Sequence, residues 1–444
     1  MKKDILSVVL VAVMLLSCGC GAEQNAAEAE QTSQGAQNAA VITATPAPTI
    51  APTPVPTPTP KPNYLIDSTF SVVCDDYVNM RADASSQSTL VREVANGEQV
   101  ELLSFVERYA QVKVLSTGET GYIIGGFLKP DTDVLGLSAV SAPFGVTEAV
   151  PINYTYDQML MDIDELLVAY PNKLTVESAG QSVEGRELKV LVLGDVNAKH
   201  HVFVQGAIHA REHMTALLCM ALAEHWLADG IPNPSVCFHI LPMANPDGVT
   251  LNQTLQFNKA IQEIYLNDGS TGRSVLTGAE YLSEWKANIR GVDLNRNFDA
   301  MWDRVKTCPA PSFSDYRGES IESEPETKAL VEYTKKYDFD ATVSYHATGS
   351  MIYWEFGPNS PVNEASYSLA EAVAAISAYK LEDDDGSSFG GYKDWASYKM
   401  NIPSITIEIG TRAAPLLENE FYNVWLRNRE LLTTVAEWVE TNAG

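Results

Sequence analysis

The sequence predicts an α/β domain, with a mixed, mostly parallel sheet flanked by helices, preceded by a small all-β barrel. Three observations lead there. From about residue 150 onward, apolar runs of strand length alternate with longer segments whose apolar residues recur at helix spacing, which implies a sheet covered on both faces. Between about 69 and 129 the pattern is short alternating segments separated by turn residues, the signature of a small barrel. A chain of 444 residues with 45% hydrophobic content suffices for two or three domains and a substantial core. Its formal charge of −27 excludes a general nucleic-acid binder, because holding phosphates needs a basic surface.

In chain order, residues 1–18 read as an export signal. Lys2 and Lys3 form a basic start, and Ile5 to Leu16 is apolar except for Ser7. That run falls short of the roughly 20 residues needed to span a bilayer. Leu15-Leu16-Ser17-Cys18 resembles the bacterial lipobox, which implies that Cys18 is lipidated and anchors the exported chain to the bacterial membrane, facing the wall or the exterior. A plain cleaved signal is the alternative, and Cys20 is a weaker lipidation candidate. Residues 19–63 are rich in Ala, Gln and Glu and then become a Thr-Pro repeat, from Thr45-Pro46 to Lys61-Pro62. This is a polyproline II stalk, whose roughly 18 repeat residues reach about 55 Å at about 3.1 Å each. Beyond Cys20 only Cys74, Cys219, Cys237 and Cys308 remain, too few for a disulfide scaffold.

Residues 64–130 carry five candidate strands: Val72-Val73, Val78-Asn79-Met80-Arg81, Gln99 to Leu103, Gln111 to Val114 and Gly121 to Ile124. Asn96-Gly97 and Thr117-Gly118 supply turns. The order Val78-Asn79-Met80-Arg81, Asn96-Gly97, Gly121-Tyr122 resembles the bacterial SH3-like domain. That resemblance implies docking onto the cell wall, at peptidoglycan stem peptides; an inert spacer is the alternative. Residues 131–150 form a second linker. In the domain from 151 to 444, Tyr156 to Tyr170 is an amphipathic helix with Met159, Leu160, Ile163, Leu166 and Leu167 on one face. Strands follow at 174–178, 188–193, 201–204 and 236–241, and Asn245-Pro246-Asp247-Gly248 reads as a turn. Helices are expected at 327–337 and 362–377, strands at 341–345 and 405–409, and helix from 418 to 439.

Between the strand Val202-Phe203-Val204 and a helical pattern from about Met214 stands Gly206-Ala207-Ile208-His209-Ala210-Arg211-Glu212-His213. A histidine and a glutamate three apart at such a junction can share one metal ion, and zinc favours these donors. His209-x-x-Glu212-His213 also fits the inverted zincin pattern, with both histidines as ligands and the glutamate as base. The pentapeptide alone leaves both open.

Four more clusters follow in order: Asn245-Pro246-Asp247-Gly248; Arg290 with Val292-Asp293-Leu294-Asn295-Arg296-Asn297-Phe298; Ser344-Tyr345-His346; and Thr406-Ile407-Glu408-Ile409-Gly410. Together, over about 150 to 442, they resemble the zinc metallocarboxypeptidase family. The resemblance implies one Zn²⁺ held by His209, Glu212 and His346, with Glu408 as general base and Arg290 as the electrophile for the oxyanion. It implies that Asn295 and Arg296 dock a substrate carboxylate, that Arg211 is a further substrate-side arginine, and that Asp293 orients His209. An ungapped count back from Glu408, anchored on Asp394-Trp395, puts the family's mobile tyrosine at Gly386, with Tyr392 the nearest replacement, and its specificity position at Lys393. A lysine there favours an acidic or carboxylate-bearing group.

Phe389-Gly390-Gly391-Tyr392-Lys393-Asp394-Trp395 and Arg290-Gly291-Val292-Asp293 look like the bacterial branch of the family, which includes γ-D-glutamyl-diamino-acid peptidases. The expected function is therefore hydrolysis of peptidoglycan stem peptides at the cell surface. The alternatives are a carboxypeptidase for ordinary extracellular peptides and a non-catalytic wall-binding protein.

Overall fold

The computed structural model describes residues 65–66, 68–141, 151–270, 276–357, 360–383 and 388–442. The signal with Cys18, the whole stalk, residues 142–150 of the second linker and Gly386 lie outside the described residues. The barrel has seven strands rather than five: β1 (Thr69–Val72), β2 (Tyr77–Arg81), β3 (Leu90–Ala95), β4 (Gln99–Val106), β5 (Tyr109–Val114), β6 (Thr120–Ile124) and β7 (Leu128–Pro130). They lie in the order β3-β2-β6-β5-β4-β1-β7. The β3 strand escaped the sequence pattern because only Val94 among its six residues is buried, so no alternation marks it.

The large domain begins with α1 (Tyr156–Ala169), whose N-cap Thr155 accepts a hydrogen bond from Gln158 N. Next come β8 (Leu174–Gln181), β9 (Glu187–Leu193), β10 (His200–Gln205), α2 (Met214–Ala228) and β11 (Val236–Leu241). Then follow α3 (Pro246–Thr254), α4 (Lys259–Asn267), α5 (Ala279–Ser283), α6 (Pro325–Lys336), β12 (Ala341–Ala347) and β13 (Met351–Tyr353). The chain ends with α7 (Asn363–Ser377), β14 (Lys380–Glu382), α8 (Tyr392–Lys399), β15 (Ser404–Ile409), α9 (Glu420–Asn428) and α10 (Leu431–Asn442). The eight-stranded sheet runs β14-β13-β15-β12-β10-β11-β9-β8. Its central strands β15, β12, β10 and β11 are parallel, while β9 and β13 pair antiparallel on either side. Nearly every residue of those four strands is buried, as continuous apolar runs require when both faces are covered.

Two expectations change. Asn245-Pro246-Asp247-Gly248 is not a free turn but the start of α3: Asn245 is the N-cap, accepting from Gly248 N, and proline occupies the first helical turn. Nor is the segment after the barrel a loose linker over its described part, 131–141. Buried Glu224 on α2 accepts hydrogen bonds from the backbone N–H groups of Ser138, Ala139 and Val140 and from the Ser138 hydroxyl, at 2.6–2.8 Å. The barrel itself packs on α9, whose Leu426 belongs to the barrel's hydrophobic core. The Arg427 guanidinium lies 4.8 Å from the Phe105 ring centre, and Arg108 donates to the Thr411 carbonyl.

Candidate metal and catalytic site

The loop after β10 is shaped before its ligands are placed. A Cβ on Gly206 would sit 2.9 Å from the Thr215 carbonyl oxygen and 3.0 Å from that of Pro242, so only glycine fits between β10 and its neighbours. Asn245 Nδ2 then donates to the carbonyls of Ile208 (3.2 Å) and Ala287 (3.0 Å), tying the ligand loop to the segment carrying Lys286. Ala210 N donates to the Lys286 carbonyl at 3.0 Å.

His346 ends β12, one strand over, and faces Glu408 across the parallel β12–β15 register. His209, Glu212 and His346 converge: His209 Nδ1 lies 2.9 Å from Glu212 Oε1, and His346 Nδ1 lies 3.0 Å from Glu212 Oε2 and 3.2 Å from His209 Nδ1. All three residues are buried. Two ligands about 2.1 Å from a tetrahedral zinc stand roughly 3.4 Å apart, so this donor set has the spacing and chemistry that zinc takes. Asp293 Oδ1 accepts from His209 Nε2 at 3.2 Å, which leaves the Nδ1 lone pair facing the cluster. His213 is outside the cluster, buried with its Nδ1 unpartnered among the described residues, so the inverted arrangement is not formed.

The local field suits a cation. Burial would lower the His209 pKa, yet the carboxylates of Glu212 and Asp293 outweigh it and push the value up to about 9. Glu212 and Asp293 are correspondingly held below the ordinary carboxylate range, mainly by His209 acting against their burial. Glu408 is pushed up to about 8 by burial first and then by Glu212.

A cavity of about 480 Å³ opens from the cluster, lined by His209, His346 and Glu408 and also by Lys286, Asn295, Arg296, Tyr353, Glu382, Asp383, Lys393, Asp394 and Thr406. Asn295 Oδ1 accepts from Tyr392 N at 2.9 Å, and Arg296 Nη1 donates to the Asn295 carbonyl at 2.8 Å.

Four sequence expectations need correction. Arg290 does not line this cavity: its side chain is 53% exposed and leans on Glu324 at 3.5 Å, because the turn at Gly291 (φ +74°) carries it outward. The cation at the metal end is Lys286, which sequence reasoning passed over; the signal was a lone lysine between buried Trp285 and Ala287. Arg211 is paired with Glu284 instead of facing the cavity. Tyr392 is buried in the core beneath α8, its hydroxyl 2.9 Å from Thr334 Oγ1, and the tyrosine lining the cavity is Tyr353. Lys393 does line the cavity, but its ammonium is already matched by Asp394 at 2.6 Å and by the Glu355 carbonyl. It is not a free cation awaiting an acidic substrate group.

A mixed sheet whose parallel centre carries a buried His-Glu-His set at and just beyond its strand ends, with a carboxylate alongside, has the makings of a hydrolytic metal site. The chain belongs to the zinc carboxypeptidase family, whose model matches residues 159–439 and which uses one catalytic zinc ion; a bacterial SH3 domain matches 76–129. Among characterised relatives, the chain is 29% identical over 294 residues to γ-D-glutamyl-L-diamino acid endopeptidase 1 of Lysinibacillus sphaericus, covering 62% of this chain and 69% of that protein. It is 25% identical over 310 residues to carboxypeptidase B of Astacus astacus, covering 65% and 97%. Among solved structures, bovine thrombin-activatable fibrinolysis inhibitor in complex with tick carboxypeptidase inhibitor shares the fold, with TM-score 0.53 and 21% identity over 65% of this chain and 97% of that one. The chain is thus a metallopeptidase hydrolase.

Proposed function

We propose that this chain is a surface-anchored zinc peptidase that hydrolyses peptidoglycan stem peptides, at a γ-D-glutamyl–diamino-acid or related bond. One observation carries the reading: the cavity beside the metal cluster presents both charges, with Lys286 and Arg296 against Glu382 and Asp383. A stem-peptide diamino acid offers carboxylate and ammonium together and so meets both signs of charge, with Glu382 held at the cavity wall by Lys380, whereas an ordinary apolar C-terminal residue meets only the cations. The similarity to an endopeptidase of that bond, the SH3 domain, the stalk and the Cys18 lipobox support the same reading. The barrel would hold the wall, and the lipid anchor would hold the membrane.

His209, Glu212 and His346 would hold the zinc, which when bound lowers the pKa of water and polarises the scissile carbonyl. Glu408 takes the proton of the attacking water and passes it to the leaving amine. Lys286 meets the charge that develops on the carbonyl oxygen. Arg296 and Asn295 dock the substrate carboxylate, a task suited to the planar guanidinium. Asp293 keeps His209 in the tautomer that presents Nδ1.

The purified enzyme should release the diamino acid end of muropeptides, read by mass spectrometry, and act weakly on blocked dipeptides. Cleavage of dipeptides alone would favour the carboxypeptidase reading. Failure of zinc-loaded enzyme on both substrates, with Glu408→Gln indistinguishable from wild type, would favour an inert wall binder.

A further inference from the structure

A second donor cluster lies at the opposite end of the sheet from the catalytic one. His201 is the second residue of β10 and, across the parallel register, pairs with Cys237 on β11; His239 follows two residues later on the same face. Their nitrogen and sulfur atoms all lie within 4.8 Å of one another. His201 Nδ1 is 3.0 Å from His239 Nε2, and Cys237 Sγ is 3.7 Å from that nitrogen. Around a tetrahedral zinc, two nitrogens stand roughly 3.4 Å apart and a nitrogen and a sulfur about 3.6 Å.

The hydrogen bonds around the cluster say what the facing nitrogens carry. His239 Nδ1 is 2.8 Å from the Tyr333 hydroxyl, which in turn interacts with the Glu177 carboxylate. With the Tyr333 O–H donating to the Glu177 carboxylate, the hydroxyl oxygen accepts from His239 Nδ1–H, and Nε2 carries the lone pair. His201 Nδ1, 3.0 Å from that nitrogen, donates to it in one tautomer and in the other offers a second lone pair to an ion. In that second tautomer two ring nitrogens and a thiol face one point, at the separations a single bound cation sets. The catalytic cluster has the same construction, with a carboxylate behind His209 fixing which nitrogen points inward.

We propose that His201, Cys237 and His239 form a second, structural metal site for a borderline-soft divalent cation of the zinc class. Binding releases the Cys237 proton to solvent, and the fourth position falls on the side of His201, which is only partly buried while the other two ligands are fully so. Tyr333 on α6 holds the outer nitrogen of His239, so the ion joins β10 and β11 to that helix. Nothing in this depends on the peptidase reading, since the catalytic cluster contains no sulfur.

That difference supplies the test. The full chain is stripped with a chelator under reducing conditions and reloaded with Co²⁺, followed by metal analysis and absorption spectroscopy. Two ions per chain are expected, with a near-ultraviolet sulfur-to-cobalt band displaced by Zn²⁺. Cys237→Ser should lose that band and one of the two ions while keeping peptide hydrolysis. His346→Ala should lose the other ion and keep the band. One ion per chain with no sulfur-to-cobalt band, or a band that survives Cys237→Ser, would overturn the site; binding of Cu²⁺ but neither Co²⁺ nor Zn²⁺ would overturn the zinc-class assignment.

Discussion

Glu326 offers a sharp test of how the loop behind the site is held. It sits on α6, fully buried, and its oxygens accept from Val183 N at 3.1 Å and Asn288 Nδ2 at 3.3 Å. Asn288 Oδ1 in turn accepts from the backbone N–H groups of Arg290 and Val292, which lead to Asp293. Burial, with Asp247 adding to it, pushes the Glu326 carboxyl from 4.5 up to about 7. The unfolded chain releases this proton near pH 4.5 while the folded chain keeps it to about pH 7, so the folded state binds more protons in between. Stability therefore falls as pH rises through that window and levels off above it. At about 1.4 kcal/mol per pH unit, the loss amounts to about 3 kcal/mol. Glu326→Gln removes the titration but sets an amide N–H₂ against one of the two donors, at a cost of about 1 kcal/mol. The variant should thus be less stable than wild type at pH 4.5 and more stable, by about 2 kcal/mol, at pH 8. Urea midpoints of the zinc-loaded chain at several pH values measure this difference directly. Parallel profiles for the two proteins would refute the reasoning.

Other outcomes follow from the site and the packing. Lys286→Ala should lower kcat about 10²–10³-fold, the usual loss for an oxyanion partner, whereas Arg290→Ala should leave kcat near wild type. Glu408→Gln should lower kcat by about 10²–10⁴-fold with full zinc content, as removal of a general base does. Asp293→Asn should weaken zinc binding about 10–100-fold, measured by chelator competition, because His209 loses the partner that fixes its tautomer. Leu426→Ala should cost about 2–5 kcal/mol and destabilise barrel and peptidase domain together in one calorimetric transition; a separate barrel transition would contradict the shared core.

The layered architecture was open to reading because the central strands are buried on both faces and so appear as unbroken apolar runs. The parts that went unread lack such a pattern. The three-residue strands β13 and β14 are too short to carry a period. Helix α8 has buried Lys393, Asp394 and Ser397 where an amphipathic pattern expects exposure. The strap at 138–140 carries no pattern of its own, since its order comes from Glu224, some 85 positions away.

The site divides the same way, between what a backbone fixes and what a side chain chooses. His346 and Glu408 end neighbouring parallel strands, and their place follows from strand register once the sheet is granted. Cations on loops have no such constraint. Arg290 and Lys286 are four residues apart, and composition makes arginine the better oxyanion partner. What decides between them is the path of the backbone. The Lys286 carbonyl accepts from Ala210 N beside His209, so its side chain starts at the metal loop, whereas Arg290 stands beyond Asn288 on a turn that aims it at Glu324. Tyr392 fails for the same reason. Its backbone N–H is bound at the site by Asn295, and a Cβ on Gly390 would sit 2.6 Å from the Arg296 carbonyl oxygen, so the start of α8 is pressed against the carboxylate-docking segment. With the backbone there, the ring points into the core, and the contribution of Tyr392 to the cavity is the N–H that orients Asn295.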